Sequence, residues 1–307
     1  MTPAERGAGD AADARPEGDW RMRWSALWNA RVTRRLRRNR LFVAGLAIML
    51  AISVLALLAE MIAAHDPTRM YFRHRFVPPG HAQFPLGTDN FGRDLLSRML
   101  HGAQVSLRIG LAVVLLTGLF GTAIGAIAGY FRRLDNPLMR LMDAFMAFPA
   151  ILLAIAMAAA LGPSELNAII ALATVYTPRT ARIVRASVLV VREMDYVEAI
   201  RAAGATDTRI LIRHVLPNCL APLIVQLTFI FAYAILAEAV LSFIGVGPPP
   251  PTPTWGNIIA EGRGYIREAF WIALLPGIAI SLTVLGLNLL GDGLRDALDP
   301  RMKVAQS

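Results

Sequence analysis

Six stretches of about twenty predominantly apolar residues divide this chain, each long enough as a helix to cross a hydrocarbon core of roughly 30 Å. They lie at about 41–63, 105–130, 138–161, 166–187, 218–245 and 269–292. Inside lipid a segment has to satisfy its own backbone donors and acceptors, which leaves helices as the spanning element for blocks of this length. Hydrophobic residues make up 55% of the 307, well above an ordinary soluble domain. The expected fold is therefore all-α, an integral membrane protein with six transmembrane helices.

The charges give the orientation. Of the 31 basic residues, only Lys303 is a lysine. Arginines gather at 31–40, at Arg132, Arg133 and Arg140, at Arg192, Arg201, Arg209 and Arg213, and with Lys303 in the tail at Arg295 and Arg301. With six spans these four segments fall on one side, and the positive-inside bias makes that side cytoplasmic, both termini included. The 64–104 segment also holds arginines, partly balanced by Asp66, Asp89 and Asp94. A net charge of +9 would suit a nucleic-acid partner if it were gathered on a soluble domain. Here it flanks the apolar blocks, so no nucleic acid is expected.

The chain is expected to divide into a cytoplasmic tail over 1–40, a first span and extracytoplasmic segment over 41–104, a core of five spans over 105–295, and a cytoplasmic tail over 296–307. Residues 1–19 read as disordered. Trp20, Trp24 and Trp28 share one helical face, which suits either a helix in the membrane interface or packing on the protein's own helices. There is no signal-peptide pattern before the first span, which is expected to stay as an anchor. Cys219 is the single cysteine, so neither an internal disulfide nor a cysteine metal cluster is expected.

The segment between the fourth and fifth spans is too charged for lipid. Glu193 to Ala203 forms helix readily, Gly204 stops it, Thr206 is placed to cap a second short helix over 207–216, and Pro217 suits the first turn of the fifth span. Ala199, Ala202, Ala203 and Gly204 offer little side-chain bulk, so a partner helix can approach closely. An ordinary amphipathic loop would look similar. In the second span Thr117, Gly121, Gly125 and Gly129 recur every four residues, a stripe for close helix packing, static or moving. Pro149 either kinks the third span or starts its regular part. Gln226, Glu238, Asn288 and Asp292 are polar within apolar stretches and are expected to face protein or water. Glu238 suits either a pathway position or a helix-joining hydrogen bond.

The spacing Glu198-Ala199, Gly204, Leu216-Pro217 resembles the EAA coupling loop of ABC-transporter permeases, departing from it at Ile200 and His214. Leu86-Gly87-Thr88-Asp89 with Gly92-Arg93-Asp94 and Ser97-Arg98, Phe148-Pro149, Ala181-Arg182, Leu241-Ser242-Phe243-Ile244-Gly245, Trp255-Gly256 and Gly291-Asp292-Gly293-Leu294-Arg295-Asp296 resemble the second permease subunit of the dipeptide, oligopeptide and nickel importers. The resemblance spans roughly 30–303. It implies a solute-translocating subunit, most simply of di- or oligopeptides. It implies as partners a paralogous permease, two ATPase subunits and an extracytoplasmic binding protein, in a bacterial inner membrane. Glu198, Ala199, Ala203, Gly204, Leu216 and Pro217 would form the ATPase-coupling loop at 193–217, and Gly121, Gly125, Pro149, Gln226, Glu238 and Asn288 would serve the pathway or its packing.

No Walker A sequence occurs. ATP and Mg²⁺ are therefore expected on the partner ATPases, with no cofactor, metal or catalytic residue in this chain. The segment 86–98 is expected to be an ordered element without catalysis, with Asp89, Arg93 and Asp94 pairing locally. A transporter driven by an ion gradient is the rival reading, with Glu238 and Asp292 as its intramembrane carboxylates. A non-transporting scaffold is a third.

Overall fold

The computed structural model describes residues 33–298. Trp20, Trp24, Trp28, Arg31, Arg301 and Lys303 lie outside the described residues, so the interfacial-helix expectation is not tested by them. A short helix, α1 (Thr33–Arg38), leads into α2 (Arg40–Leu57) and α3 (Ala59–Ile62). Next come α4 (Leu95–Tyr130), α5 (Arg132–Met146), α6 (Ala150–Leu161) and α7 (Glu165–Arg192). The chain continues through α8 (Asp195–Ala202), α9 (Asp207–Ile210), α10 (Leu220–Ile244), α11 (Trp255–Gly262) and α12 (Trp271–Leu298). Among the described residues there is no strand beyond an isolated bridge between Thr88 and Asp94.

Four helical runs are long and apolar enough to cross a membrane: Arg40–Leu57, Leu95–Tyr130, Asp207–Ile244 and Trp271–Leu298. The pair α5 and α6 makes a fifth if taken together, but it is bent by 87°. The third apolar stretch is thus not one straight helix. Pro149 ends the break with φ −56° and ψ 126° and starts α6, where its missing N–H costs no helical hydrogen bond. The fourth stretch is helical, but as α7 it carries Arg179, Arg182, Arg185 and Arg192 and is not among the apolar runs.

Helix α4 begins ten residues earlier than its hydropathy suggests. Asp94 caps it by accepting from the Leu96 N–H at 3.2 Å, and the first turns keep Ser97 and Arg98 buried in protein. Buried charge of this kind is invisible to an apolar window.

The most extensive pairing is α4 along α7. The Gly121, Gly125 and Gly129 stripe lies at this contact. A Cβ at Gly125 would stand 2.4 Å from the Ala181 carbonyl oxygen, and one at Gly129 would stand 2.8 Å from Val188 Cβ. Small residues here let two backbones approach, which is how helices gain contact where lipid is as apolar as their side chains. A second apolar cluster joins α2, α4, α10, α11 and α12 through Met49, Ala103, Ile235, Trp255 and Leu287.

The segment before α4 folds around buried charge. Asp89 accepts from Arg93 Nε at 2.6 Å and also from Arg98. Both arginines reach Glu261 of α11 in the same network, Arg98 at 2.7 Å. Asp94 does not join them. It takes Ser97 Oγ at 2.6 Å and faces His65 Nδ1 at 3.2 Å. His65, His74 and His81 pack around the buried ring of Phe84. Asp89 is fully buried, and removing one member of a buried ionic set leaves its partners uncompensated. Asp89→Ala is therefore expected to cost about 3–5 kcal/mol, read as an earlier thermal unfolding of the detergent-purified protein. An unchanged midpoint would refute the structural role given to this network.

Candidate functional site

Helix α8 ends in a Schellman motif. The Gly204 N–H donates to the Arg201 carbonyl at 3.0 Å and the Ala205 N–H to the Ile200 carbonyl at 3.3 Å. Gly204 sits at φ +85°, the left-handed conformation that this closure requires and that glycine adopts without a Cβ clash. Ile200 and Ala205 then pack inward on one apolar cluster. This places the departure at Ile200: its bulk fills the base of the loop and does not stand on the outer surface.

That base is firm. Val197, Ile210 and Val215 are fully buried, and they pack with Val184 and Val188 of α7 and Leu223 of α10. Tyr196 adds a polar tie, its hydroxyl donating to the His214 carbonyl at 3.2 Å and accepting from Asn218 Nδ2 at 3.1 Å. Against this base Glu198, Ala199, Ala202, Ala203 and Gly204 are exposed together. Leu216 turns into the cluster, while Pro217 is exposed in a 3₁₀ turn. Thr206 stands at the N-cap of α9, yet its side chain makes no capping bond.

The second helix expected over 207–216 is not a separate one. α9, a π turn (Leu211–Val215) and the 3₁₀ turn (Leu216–Cys219) run directly into α10. The site thus consists of one free-standing short helix, a glycine turn and the head of a long helix.

A polar cleft of about 770 Å³ adjoins this turn, with Arg132, Arg192, Glu193, Glu198, Arg201 and Asp207 on its walls. Its charges balance. Tyr130, the last residue of α4, donates its hydroxyl to Asp207 Oδ1 at 2.7 Å and accepts from Arg201 Nη2 at 3.4 Å. That bond to the Tyr130 hydroxyl holds the Arg201 guanidinium above its ordinary value. Arg192 Nη1 donates to the Gly129 carbonyl at 2.6 Å, joining the end of α7 to that of α4. Sequence reasoning missed Tyr130, Arg192 and Asp207 because 77 positions separate Tyr130 from Asp207. Tyr130→Phe removes both bonds of this hydroxyl, the shorter of them worth about 1 kcal/mol, so amide exchange across 195–207 is expected to quicken roughly fivefold or more. Unchanged exchange would show that this hydroxyl does not hold the loop.

The other site residues are not brought together. Gly121 and Gly125 abut α7. Glu238, fully buried, accepts from Ser106 Oγ of α4 at 3.0 Å and from Ser242 Oγ at 2.6 Å. Gln226 is buried on α10 with its Nε2 unpartnered. Asn288 is half-buried on α12, and Asp292 is exposed.

Comparison with known proteins bears on these features. A family model described as a binding-protein-dependent transport system inner membrane component matches residues 121–304. A second, the N-terminal TM domain of oligopeptide transport permease C, matches residues 26–79. A Brucella suis biovar 1 protein provisionally named a peptide transport system permease is 59% identical over 271 residues, 88% of this chain and 91% of that protein. The di/tripeptide transport system permease protein of Pseudomonas aeruginosa is 48% identical, covering 87% of this chain and 90% of its own. The dipeptide transport system permease protein of Escherichia coli K12 is 45% identical, with 87% and 91% covered. In fold, the inward-facing MetNI methionine ABC transporter superposes with a TM-score of 0.51 at 22% identity, over 63% of this chain and 95% of that one. The chain belongs to the binding-protein-dependent transport system inner membrane components, as an ABC importer permease subunit of the peptide family.

Proposed function

We propose that this subunit carries di- or oligopeptides across a bacterial inner membrane, and that residues 193–217 receive the movement of ATPase partners. The observation that carries the reading is the exposed, nearly bulk-free surface from Ala199 to Gly204 on a buried apolar base. A surface of that kind admits a partner closely and passes a push onward without absorbing it. In this reading six segments span the membrane, with α5–α6 as a broken span and α7 shielded from lipid, and both termini are cytoplasmic. The arginines flanking the apolar runs support that orientation. The peptide-permease names of the relatives support the substrate class.

The complete transporter would hold a second, paralogous permease, two ATPase subunits with their ATP and Mg²⁺, and an extracytoplasmic binding protein that delivers cargo. This chain would bind no cofactor. Its own part is mechanical: the turn at Gly204 accepts the stroke, and the head of α10 and the end of α4 take it up through the Val197 cluster and the Tyr130–Asp207 bond. Dipeptide uptake by proteoliposomes holding the complex purified on this chain is expected to continue when a protonophore collapses the gradient and to stop without ATP. Uptake that follows the gradient, by a chain purified alone, would replace this reading with the ion-coupled one.

A further inference from the structure

Arg179, Arg182 and Arg185 follow one another at three-residue steps on α7, which sets them along one side of the helix. Two are matched by carboxylates of α5: Arg182 Nη2 meets Asp143 Oδ1 at 2.6 Å, and Arg185 meets Asp135 through Nε at 2.5 Å and Nη2 at 2.6 Å. The third is not. α5 ends at Met146 and the chain turns away by 87° before α6, leaving nothing on that helix to meet Arg179. Among the described residues Arg179 has no ion pair and no side-chain hydrogen bond. It is exposed, and its guanidinium lies over the Tyr233 ring of α10 at 5.8 Å from the centroid.

Its depth makes this unusual. Arg179 stands at the middle of a 28-residue helix, about 20 Å from either end at ~1.5 Å per residue. An arginine at such a position facing lipid costs about 2.5–3.5 kcal/mol on insertion scales. Three more arginines and several polar side chains keep α7 outside the apolar runs, as expected for a helix that lines water. A guanidinium resting on an aromatic face keeps its N–H edge available for a planar anion.

We propose that Arg179, backed by Tyr233, is a transient binding point in the translocation pathway for the terminal carboxylate of a peptide in transit. The proposal rests on the peptide-permease reading above. A terminal carboxylate is the feature peptides share whatever their side chains, and a fork of N–H donors fits it in two places at once. High exposure and the pairing of the neighbouring Arg182 with Asp143 keep the contact weak, as release demands.

The test uses the whole complex purified on this chain, with saturating binding protein and two probes, alanyl-alanine and its C-terminal amide. Arg179→Gln is expected to lower maximal uptake of alanyl-alanine roughly tenfold and to leave the slower amide unchanged, while Arg179→Lys keeps most of the native rate. In the native complex's Arg179→Cys form, a water-soluble methanethiosulfonate is expected to label this chain at the new thiol, more slowly with alanyl-alanine present and not with the amide. An equal fall for both probes, no change for either, or no labelling overturns the proposal. Loss of the copurifying permease in Arg179→Gln also overturns it, by assigning the arginine to a neighbouring subunit's carboxylate. Failure of the native complex to take up either probe with ATP would instead overturn the peptide reading itself, and this inference with it.

Discussion

Gly204→Trp is expected to abolish ATP-driven uptake while leaving the chain folded and in the membrane. Nothing lies within 4 Å of a Cβ built at Gly204, so the indole meets no part of this chain. The intrinsic cost is the positive φ of +85°, about 1–2 kcal/mol for an L-residue. A domain with about 5–15 kcal/mol of stability tolerates that. What changes is the outer surface, where a bulky ring now stands among Ala199, Ala202 and Ala203. A partner that needs close approach is held off, and loss of contact at the centre of an interface reduces function by roughly 100-fold or more. Gly204→Ala carries the same backbone cost with little bulk, so its uptake is expected to fall less than about tenfold. Uptake, copurified ATPase and size-exclusion behaviour measured together separate the two effects. Normal transport by Gly204→Trp would mean that no partner docks at this turn.

Gly125→Leu is expected to do the reverse and deplete the folded chain. Here the added Cβ meets the Ala181 carbonyl oxygen at 2.4 Å and Val184 Cβ at 2.8 Å. Backbone on the far side cannot swing away as a side-chain tip can, so α4 and α7 have to separate along their main contact. Overpacking of this kind costs about 1–3 kcal/mol and sometimes more, and the yield of monodisperse protein is expected to fall about tenfold. Gly118→Ala is the control: its Cβ would touch the Leu227 Cδ1 tip at 3.2 Å, which a rotamer change relieves. Native yield from Gly125→Leu would show that the two helices are not held at this spacing.

The sequence revealed elements whose cause is local. The fifth and sixth stretches, expected at 218–245 and 269–292, correspond to α10 at 220–244 and α12 at 271–298, because uninterrupted apolar runs leave little choice of boundary. The turn at Gly204 was legible for the same reason, since a helix former, a glycine and a proline each act on their own neighbourhood. Contacts between distant positions were not legible. Glu261 lies 168 residues from Arg93, and no spacing rule joins them. The inward side taken by Ile200 was not legible, because a consensus states identity and says nothing of direction; the Schellman closure decides direction. Arg182 and Arg185 lie within the fourth apolar stretch, and their neutralisation by Asp143 and Asp135 of α5 is a contact between separate helices that hydropathy does not report. The opposing order of those pairs follows from two helices running antiparallel.

The continuity of Asp207–Ile244 has a mechanical corollary. A rod of α-helix is stiff along its axis, but this one contains a π turn and a 3₁₀ turn close to its loaded end, and such mixed hydrogen-bonding is where helices hinge. Farther along, Glu238 pins the rod to Ser106 of α4, about 27 Å beyond the start of α10 at Leu220 at ~1.5 Å per residue. The arrangement is a long lever with a compliant wrist and a fixed fulcrum. If residues 193–217 take up a partner's stroke as proposed, sideways displacement would be absorbed at the wrist and displacement along the axis would be delivered to the fulcrum, so that the geometry would filter the direction of the stroke before it reached the far side of the bundle.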